Sequence, residues 1–309
     1  MTQLATADAA LVWEAVSVAL TGRSRVATTE ASRPGLADLD LRSTRDLVRL
    51  LNDEDATVPA AVADAGDELA AAIDAIAERL SRGGRLVYAG AGTSGALAAL
   101  DAAECGSTFG SPPGEVVAVV ADPDADEDDR AAATNALLEL SLRPEDCVVA
   151  VSAGGSTPFV LAALEAAQEA GALRVAVASV RGSRAAALAE HEVAVVVGPE
   201  VIAGSTRLKA GTAQKLVLNT ISTVAMIRLG RTYGGLMVGV VPGNEKLRER
   251  ARRNVAVASG ASEDRVDEAL EAAAGDARVA LVSLLAGVDA AAARTRLEAA
   301  GGSVRKAAE

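Results

Sequence analysis

From residue 85 onward, short and nearly continuous apolar runs alternate with longer stretches of helical period. The runs at 85–89, 115–120, 146–152, 173–179 and 193–197 read as strands. The stretches that follow, to about 105, at 131–140, 159–170 and 209–229, read as helices. Strands apolar on both faces and separated by helices predict an α/β fold with a doubly wound, five-stranded parallel sheet. Ahead of it, 43–51 reads as a helix closed by the polar group Asn52–Asp55, and 62–80 as one long alanine-rich helix ended by Gly83 and Gly84. After it, 231–250 reads as an extended segment and a basic helical turn. Amphipathic stretches at 263–274, 277–286 and 289–300 predict a small three-helix module. The expected division is an N-terminal extension over 1–27, carrying Trp13, a main domain over 28–254 and the module over 258–309.

Composition narrows the chemistry. Half of the 309 residues are hydrophobic but only 2% are aromatic, so Ala, Val and Leu must build the core. A net charge of −12 argues against a nucleic-acid partner, which needs a basic face. The single histidine, His191, nearly excludes multi-histidine metal sites and histidine-based triads, and its place before an apolar run reads as a strand end. Cys105 and Cys147 form no paired motif and suit a reducing compartment. With no signal-peptide pattern and no apolar stretch of about 20 residues, the expectation is a cytoplasmic protein away from membranes.

Three glycine- and hydroxyl-rich segments follow strands, where a parallel sheet binds its ligands. Gly90–Gly95, after the first strand, brings Thr93, Ser94 and Gly95 to a helix start. It could serve a dinucleotide, with Asp122 as the ribose partner, but an isolated GxGxxG is a weak signal. A phosphate ester fits better, because Ser152, Ser156 and Thr157 form a second such loop after the third strand. The third segment, GPEVIAGSTRLKAGTAQKLVLN at 198–219, holds two of the chain's four lysines, Lys209 and Lys215. There Glu200, Ser205, Thr206, Arg207 and Lys209 join the candidate phosphate- and substrate-binding set, at a helix start that favours an anion.

Glu104 closes the apolar run LAALDAAEC. A carboxylate in apolar surroundings has a raised pKa and can act as general acid or base; a solvated helix-end glutamate is the plainer alternative. The acidic run Asp122–Asp129 reads as a solvated loop, with a divalent-metal site as the weaker alternative.

The order GAGTSG, LDAAEC, TFG, GPEVIAGSTRLKAGTAQKLVLN and Gly235–Val238, with Leu51–Asp55 and Val58–Pro59 upstream, resembles the N-acetylmuramic acid 6-phosphate etherases over about 28–309. The resemblance implies the sugar isomerase (SIS) fold, a flavodoxin-like αβα sandwich, with a ubiquitin-associated-like C-terminal module. It also implies a homodimer acting on a phosphorylated amino sugar in cell-wall recycling, with no metal or redox cofactor. The implied reaction eliminates D-lactate from C3 and adds water, with Glu104 as acid to the ether oxygen and then base to water. The chain departs from the family pattern at Ala96, Gly106–Ser107, Ala153–Ser156 and Gly239, and no residue of 126–129 aligns clearly with the family's second acid. A non-catalytic phosphosugar-binding regulator and a phosphosugar isomerase of the same fold remain alternatives. Ser94 and Glu104 stand ten residues apart on one helix, about 15 Å, which predicts a site shared between two subunits.

Overall fold

The computed structural model describes residues 28–121, 127–240 and 245–309. The expected extension over 1–27, Asp122 and Asp126 lie outside these residues.

Five strands form one parallel sheet: β1 (Leu86–Gly90), β2 (Val116–Val120), β3 (Cys147–Val151), β4 (Leu173–Ala178) and β5 (His191–Ala194). Their order is β2-β1-β3-β4-β5. The central strands β1 and β3 are buried at every position, so both faces must be apolar. Alternate side chains divide between two layers. Leu86 and Tyr88 face the layer of α3 (Gly66–Ser81) and α8 (Lys209–Arg228), while Val87 and Ala89 face α5 (Arg130–Glu139) and α6 (Pro158–Glu169). Burying each Val or Leu side chain contributes about 1.5–3 kcal/mol. Alanine lines the same layers and lets the helices lie close to the sheet.

Helix α4 (Gly92–Phe109) follows β1 and buries a stripe of Gly95, Ala98, Asp101, Cys105 and Phe109. This spacing of three and four residues is the helical period. At Gly95 an added Cβ would stand 2.7 Å from the Gly90 carbonyl oxygen and 2.5 Å from Val120 Cγ1. Glycine is needed there for close helix–strand packing.

Several boundaries differ from the sequence reading. Asn52–Asp55 is not a break after the first helix. It is the last turn of α1 (Thr44–Asp55), which Ser43 starts by accepting the Asp46 N–H at 3.2 Å. The long helix expected at 62–80 is two, α2 (Val58–Asp64) and α3, separated at Ala65. The short α7 (Arg184–Leu188) lies between β4 and β5, and His191 opens β5.

The extended segment after α8 is a hairpin of β6 (Thr232–Tyr233) and β7 (Leu236–Met237). The expected basic turn is a full helix, α9 (Glu245–Ser259). It packs with α10 (Glu263–Ala272), α11 (Ala277–Ala286), α12 (Ala290–Ala299) and the short α13 (Val304–Ala308) around one apolar cluster. Ala251 and Val255 of α9 belong to that cluster, so the join expected near 254–260 falls inside a helix. The hairpin ties the cluster to the sheet domain: Arg231 Nη2 lies 2.7 Å from Glu115 Oε1, and Arg231 Nη1 donates to the Gly110 carbonyl at 3.3 Å. Among the described residues, no helix is long and apolar enough to cross a membrane.

Candidate active site

Strand order reverses between β1 and β3: from β1 the chain crosses to β2 on one side, and β3 lies on the other. Loops beyond the carboxyl ends of these two strands diverge there and leave a crevice. The two hydroxyl-rich loops expected to bind phosphate are the ones on its sides. The first turn of α4 presents Thr93, exposed, and Ser94, half-buried. The β3–α6 loop presents Ser156, exposed, and Thr157, half-buried at the start of α6. Neither helix start is capped by its own side chain, at Ala91 or at Thr157. By contrast α5 and α7 are capped, by Asp129 and Ser183. Uncapped first-turn amides and the helix dipole favour an anion at α4; at α6 Pro158 has no N–H and the Phe159 N–H goes to the Glu127 carbonyl, so there the dipole and the hydroxyls remain.

Two predicted members hold the loops rather than face the crevice. Ser152 is buried; its Oγ lies 2.8 Å from Thr157 Oγ1 and accepts the Gly155 N–H at 3.1 Å, which closes the turn. Gly95 is buried in helix–strand packing and its N–H goes to the Ala91 carbonyl.

The third segment differs from the other two. Its helix start is already occupied by a carboxylate of the chain itself. Glu200, 1% exposed, accepts the N–H of Lys209 on Oε2 at 3.1 Å and of Ala210 on Oε1 at 3.0 Å. Lys209 is also engaged: its Nζ lies 2.8 Å from Glu54 Oε2, and Arg33 reaches the other oxygen of Glu54 at 2.5 Å. Burial works against ionising Glu54, but the two cations prevail and hold its carboxyl below the ordinary range. Glu200 and Lys209 therefore fasten α8 and the strand-side loop in this structure. Ser205 and Thr206 are half-buried in the loop leading to α8, whose turns are closed by backbone bonds such as Gly211 N–H to the Thr206 carbonyl. Arg207 is exposed. A Cβ at Gly211 would lie 3.5 Å from Thr93 Cγ2, so the first turn of α8 abuts the first turn of α4.

Glu104 does not lie in apolar surroundings within the chain. It is exposed on α4, which continues past it to Phe109, on the face that also carries Ala96 and Leu100. The buried carboxylate of LDAAEC is Asp101. Its Oδ2 accepts the Tyr88 hydroxyl at 2.8 Å, and its Oδ1 accepts Asn219 Nδ2 at 3.1 Å and Ser222 Oγ at 3.0 Å. Burial raises the Asp101 carboxyl above its ordinary range, against the pull of these donors. Burial likewise pushes the Cys105 thiol up to about 12. Cys105 and Cys147 are both buried and free.

One further acid escaped the sequence reading. Gly92 adopts φ +52°, and a Cβ there would lie 2.8 Å from Glu127 Oε1. The Glu127 carboxylate thus rests against the first residue of α4, beside Thr93. Its backbone carbonyl accepts the Phe159 N–H at 3.1 Å, which ties the segment to the start of α6. No spacing in the acidic run singles out Glu127; the glycine opposite it was the only hint. Gly239 explains one departure from the family pattern, since a Cβ there would lie 2.2 Å from the Phe109 carbonyl oxygen.

A five-stranded parallel αβα sheet with hydroxyl-rich loops at its switch point is the architecture of the SIS class. A SIS domain model matches residues 52–179. A phosphoheptose isomerase from Francisella tularensis has a similar fold, with a TM-score of 0.51 over 60% of this chain and all of that one, at 16% identity. The chain is 54% identical to the N-acetylmuramic acid 6-phosphate etherase of Streptomyces coelicolor over 91% of its length and 93% of the relative's. It is 53% identical to that of Rubrobacter xylanophilus over 90% and 95%, and 44% identical to one from Escherichia coli over 90% and 96%. The chain belongs to the N-acetylmuramic acid 6-phosphate etherase family.

Proposed function

We propose that the protein cleaves the D-lactyl ether of N-acetylmuramic acid 6-phosphate, giving N-acetylglucosamine 6-phosphate and D-lactate. The observation that carries this reading is the crevice between β1 and β3. It sets the hydroxyls of two loops and the open start of α4 for a phosphate beside an acid, Glu127, in a chain so similar to named etherases.

The phosphate sits between Thr93 and Ser94 on one side and Ser156 and Thr157 on the other. Opening the sugar ring exposes a carbonyl at C1, which acidifies the C2 proton. Glu127 takes that proton. The C3–oxygen bond breaks as Glu104 gives its proton to the departing lactate oxygen. Water then adds to C3, losing its proton to Glu104, and C2 regains the proton held by Glu127. The sum is one water consumed and one ether cleaved. Each proton transfer of this kind is worth about 10²–10⁴-fold.

Glu104 comes from a second copy in this reading. It stands ten residues beyond Ser94 on α4, about 15 Å along the axis, too far to reach the same hexose. The outward face of α4 supports a two-fold contact: Leu100 is 51% exposed between Ala96 and Glu104. A two-fold axis at Leu100 brings each Glu104 level with the other copy's Ala96, next to Ser94. Helix α1 agrees, since it buries none of its residues and leaves Val48 and Leu51 exposed. The buried, free cysteines fit a reducing cytoplasm.

Lactate release from N-acetylmuramic acid 6-phosphate, with Glu104→Gln beside the parent, tests the reaction. Lactate from the parent and none from the variant is expected. Binding without lactate marks a phosphosugar sensor, and a ketose phosphate marks an isomerase. Mixing Glu104→Gln with Ser94→Ala tests the shared site: hybrid dimers should recover activity, because each contains one intact site.

A further inference from the structure

Helices α4 and α8 lie side by side, parallel, in a register fixed by hydrogen bonds. At one end Ser94 Oγ donates to Gln214 Oε1 at 3.0 Å; farther along, Asn219 and Ser222 both reach Asp101. With 214 beside 94, the next residue, Lys215, stands level with Gly95 and Ala96. Gln214, Val217 and Leu218 point into the core, whereas Lys215 is exposed, as are Ala96 and Leu100 on α4. Its ammonium makes no hydrogen bond or ion pair among the described residues. It stays close enough to the buried Asp101 for its charge to oppose the rise in that carboxyl's pKa.

The substrate of the proposed reaction carries two anions, a phosphate at C6 and the carboxylate of the lactyl group at C3. The phosphate has the hydroxyls of the crevice and the open start of α4. The carboxylate needs a cation, because a charge leaving water needs a charged, hydrogen-bonding partner. Chemistry fixes where that cation must be. A single carbon separates the carboxylate from the ether oxygen, so the cation lies next to the oxygen that Glu104 protonates. In the two-fold arrangement that place is the level of Ala96. Lys209 cannot serve, being held by Glu54. Arg207 sits on the loop before α8, more than a helical turn back from Lys215. We propose that Lys215 binds the substrate's lactyl carboxylate and is the residue that distinguishes a 3-O-lactyl sugar phosphate from one with a free 3-hydroxyl. The inference rests on the functional reading above.

The test measures binding of two sugar phosphates to the full chain in a Glu104→Gln background, where turnover is blocked. N-acetylmuramic acid 6-phosphate carries the carboxylate; N-acetylglucosamine 6-phosphate lacks it. Lys215→Met should weaken the first about tenfold, the equivalent of ~1.4 kcal/mol, and change the second less than about twofold. Lys215→Arg should restore most of the loss. Equal weakening of both ligands, or no weakening, overturns the proposal, as does a carboxylate-selective loss with Arg207→Met instead. A parent that binds neither sugar phosphate overturns the functional reading as well, so the two failures are distinguishable.

Discussion

The carboxylate of Glu200 closes the start of α8 by accepting the N–H groups of Lys209 and Ala210, one on each oxygen. A helix start that reads as an anion site is thus filled from within the chain. Glu200→Gln keeps the shape but turns one acceptor into an N–H donor that faces a backbone N–H. Charge-assisted bonds of this kind contribute about 1.5–3 kcal/mol. The expected loss is about 2 kcal/mol, or a Tm lower by ~3 °C in a chain of this size. Bound N-acetylglucosamine 6-phosphate should raise the Tm of variant and parent equally. A smaller ligand-induced rise in the variant would instead make Glu200 a ligand of the sugar.

Glu54 answers two cations, Lys209 and Arg33, with side-chain exposures of 15%, 6% and 30%. Removing the shared carboxylate and removing one cation therefore differ. Glu54→Gln leaves two positive charges facing each other and should cost about 2–3 kcal/mol, below the 3–5 of a fully buried pair because Arg33 reaches water. Lys209→Met leaves Glu54 still paired with Arg33 and should cost about 1 kcal/mol. Urea unfolding of both variants checks the order; the reverse order would show that Arg33 does not neutralise Glu54.

Much of this architecture was legible in the sequence because strands apolar on both faces and glycine-rich strand ends are local signals. The five strands, the crevice loops and the C-terminal helices follow from them. What was lost depends on partners far along the chain. Asn52–Asp55 reads as a polar break, but Glu54 is polar because Lys209 waits 155 residues away. Glu104 and Asp101 were separable in principle: Ala98, Asp101 and Cys105 share one helical stripe, and Glu104 falls outside it. Glu127 was not, since its role comes from crossing over Gly92, a contact that no periodicity encodes.

Asp146 lies just before β3, at the amino ends of the strands and opposite the crevice, fully buried, with Arg85 Nη2 at 2.6 Å and the N–H groups of Arg85 and Arg143 at 2.8 and 2.9 Å. Burial opposes its ionisation, but these donors outweigh it and hold the carboxyl below its ordinary value of 3.8. A carboxyl depressed in the folded state supplies stability that is present above its unfolded pKa and is lost as pH falls through the folded one. Asp146→Asn should therefore unfold more easily at pH 7, and its disadvantage should shrink as pH falls below about 4. Thermal melts across that range read the difference; a gap that stays constant to pH 2 would mean that the arginine contacts do not depend on the charge.

The end of α4 is where the C-terminal module bears on the candidate chemistry. At Gly239 a Cβ would stand 2.2 Å from the Phe109 carbonyl oxygen and 2.8 Å from its carbon, and at Gly110 one would stand 1.9 Å from the Gly239 oxygen. These are backbone atoms, so no side chain can swing away, and Gly239→Ala must push the hairpin off α4 or shift the helix itself. Overpacking of this kind costs about 1–3 kcal/mol. Phe109 lies five residues beyond Glu104 on the same helix, so a shift there also displaces the proposed acid. Lactate release should then fall by about tenfold or more at a temperature where the variant is still folded. Gly235→Ala is the control: it lies in the same hairpin, a Cβ there meets nothing within 4 Å, and both stability and turnover should stay near the parent's. If Gly239→Ala lowers stability but leaves turnover per folded molecule unchanged, the module supports the fold without positioning Glu104.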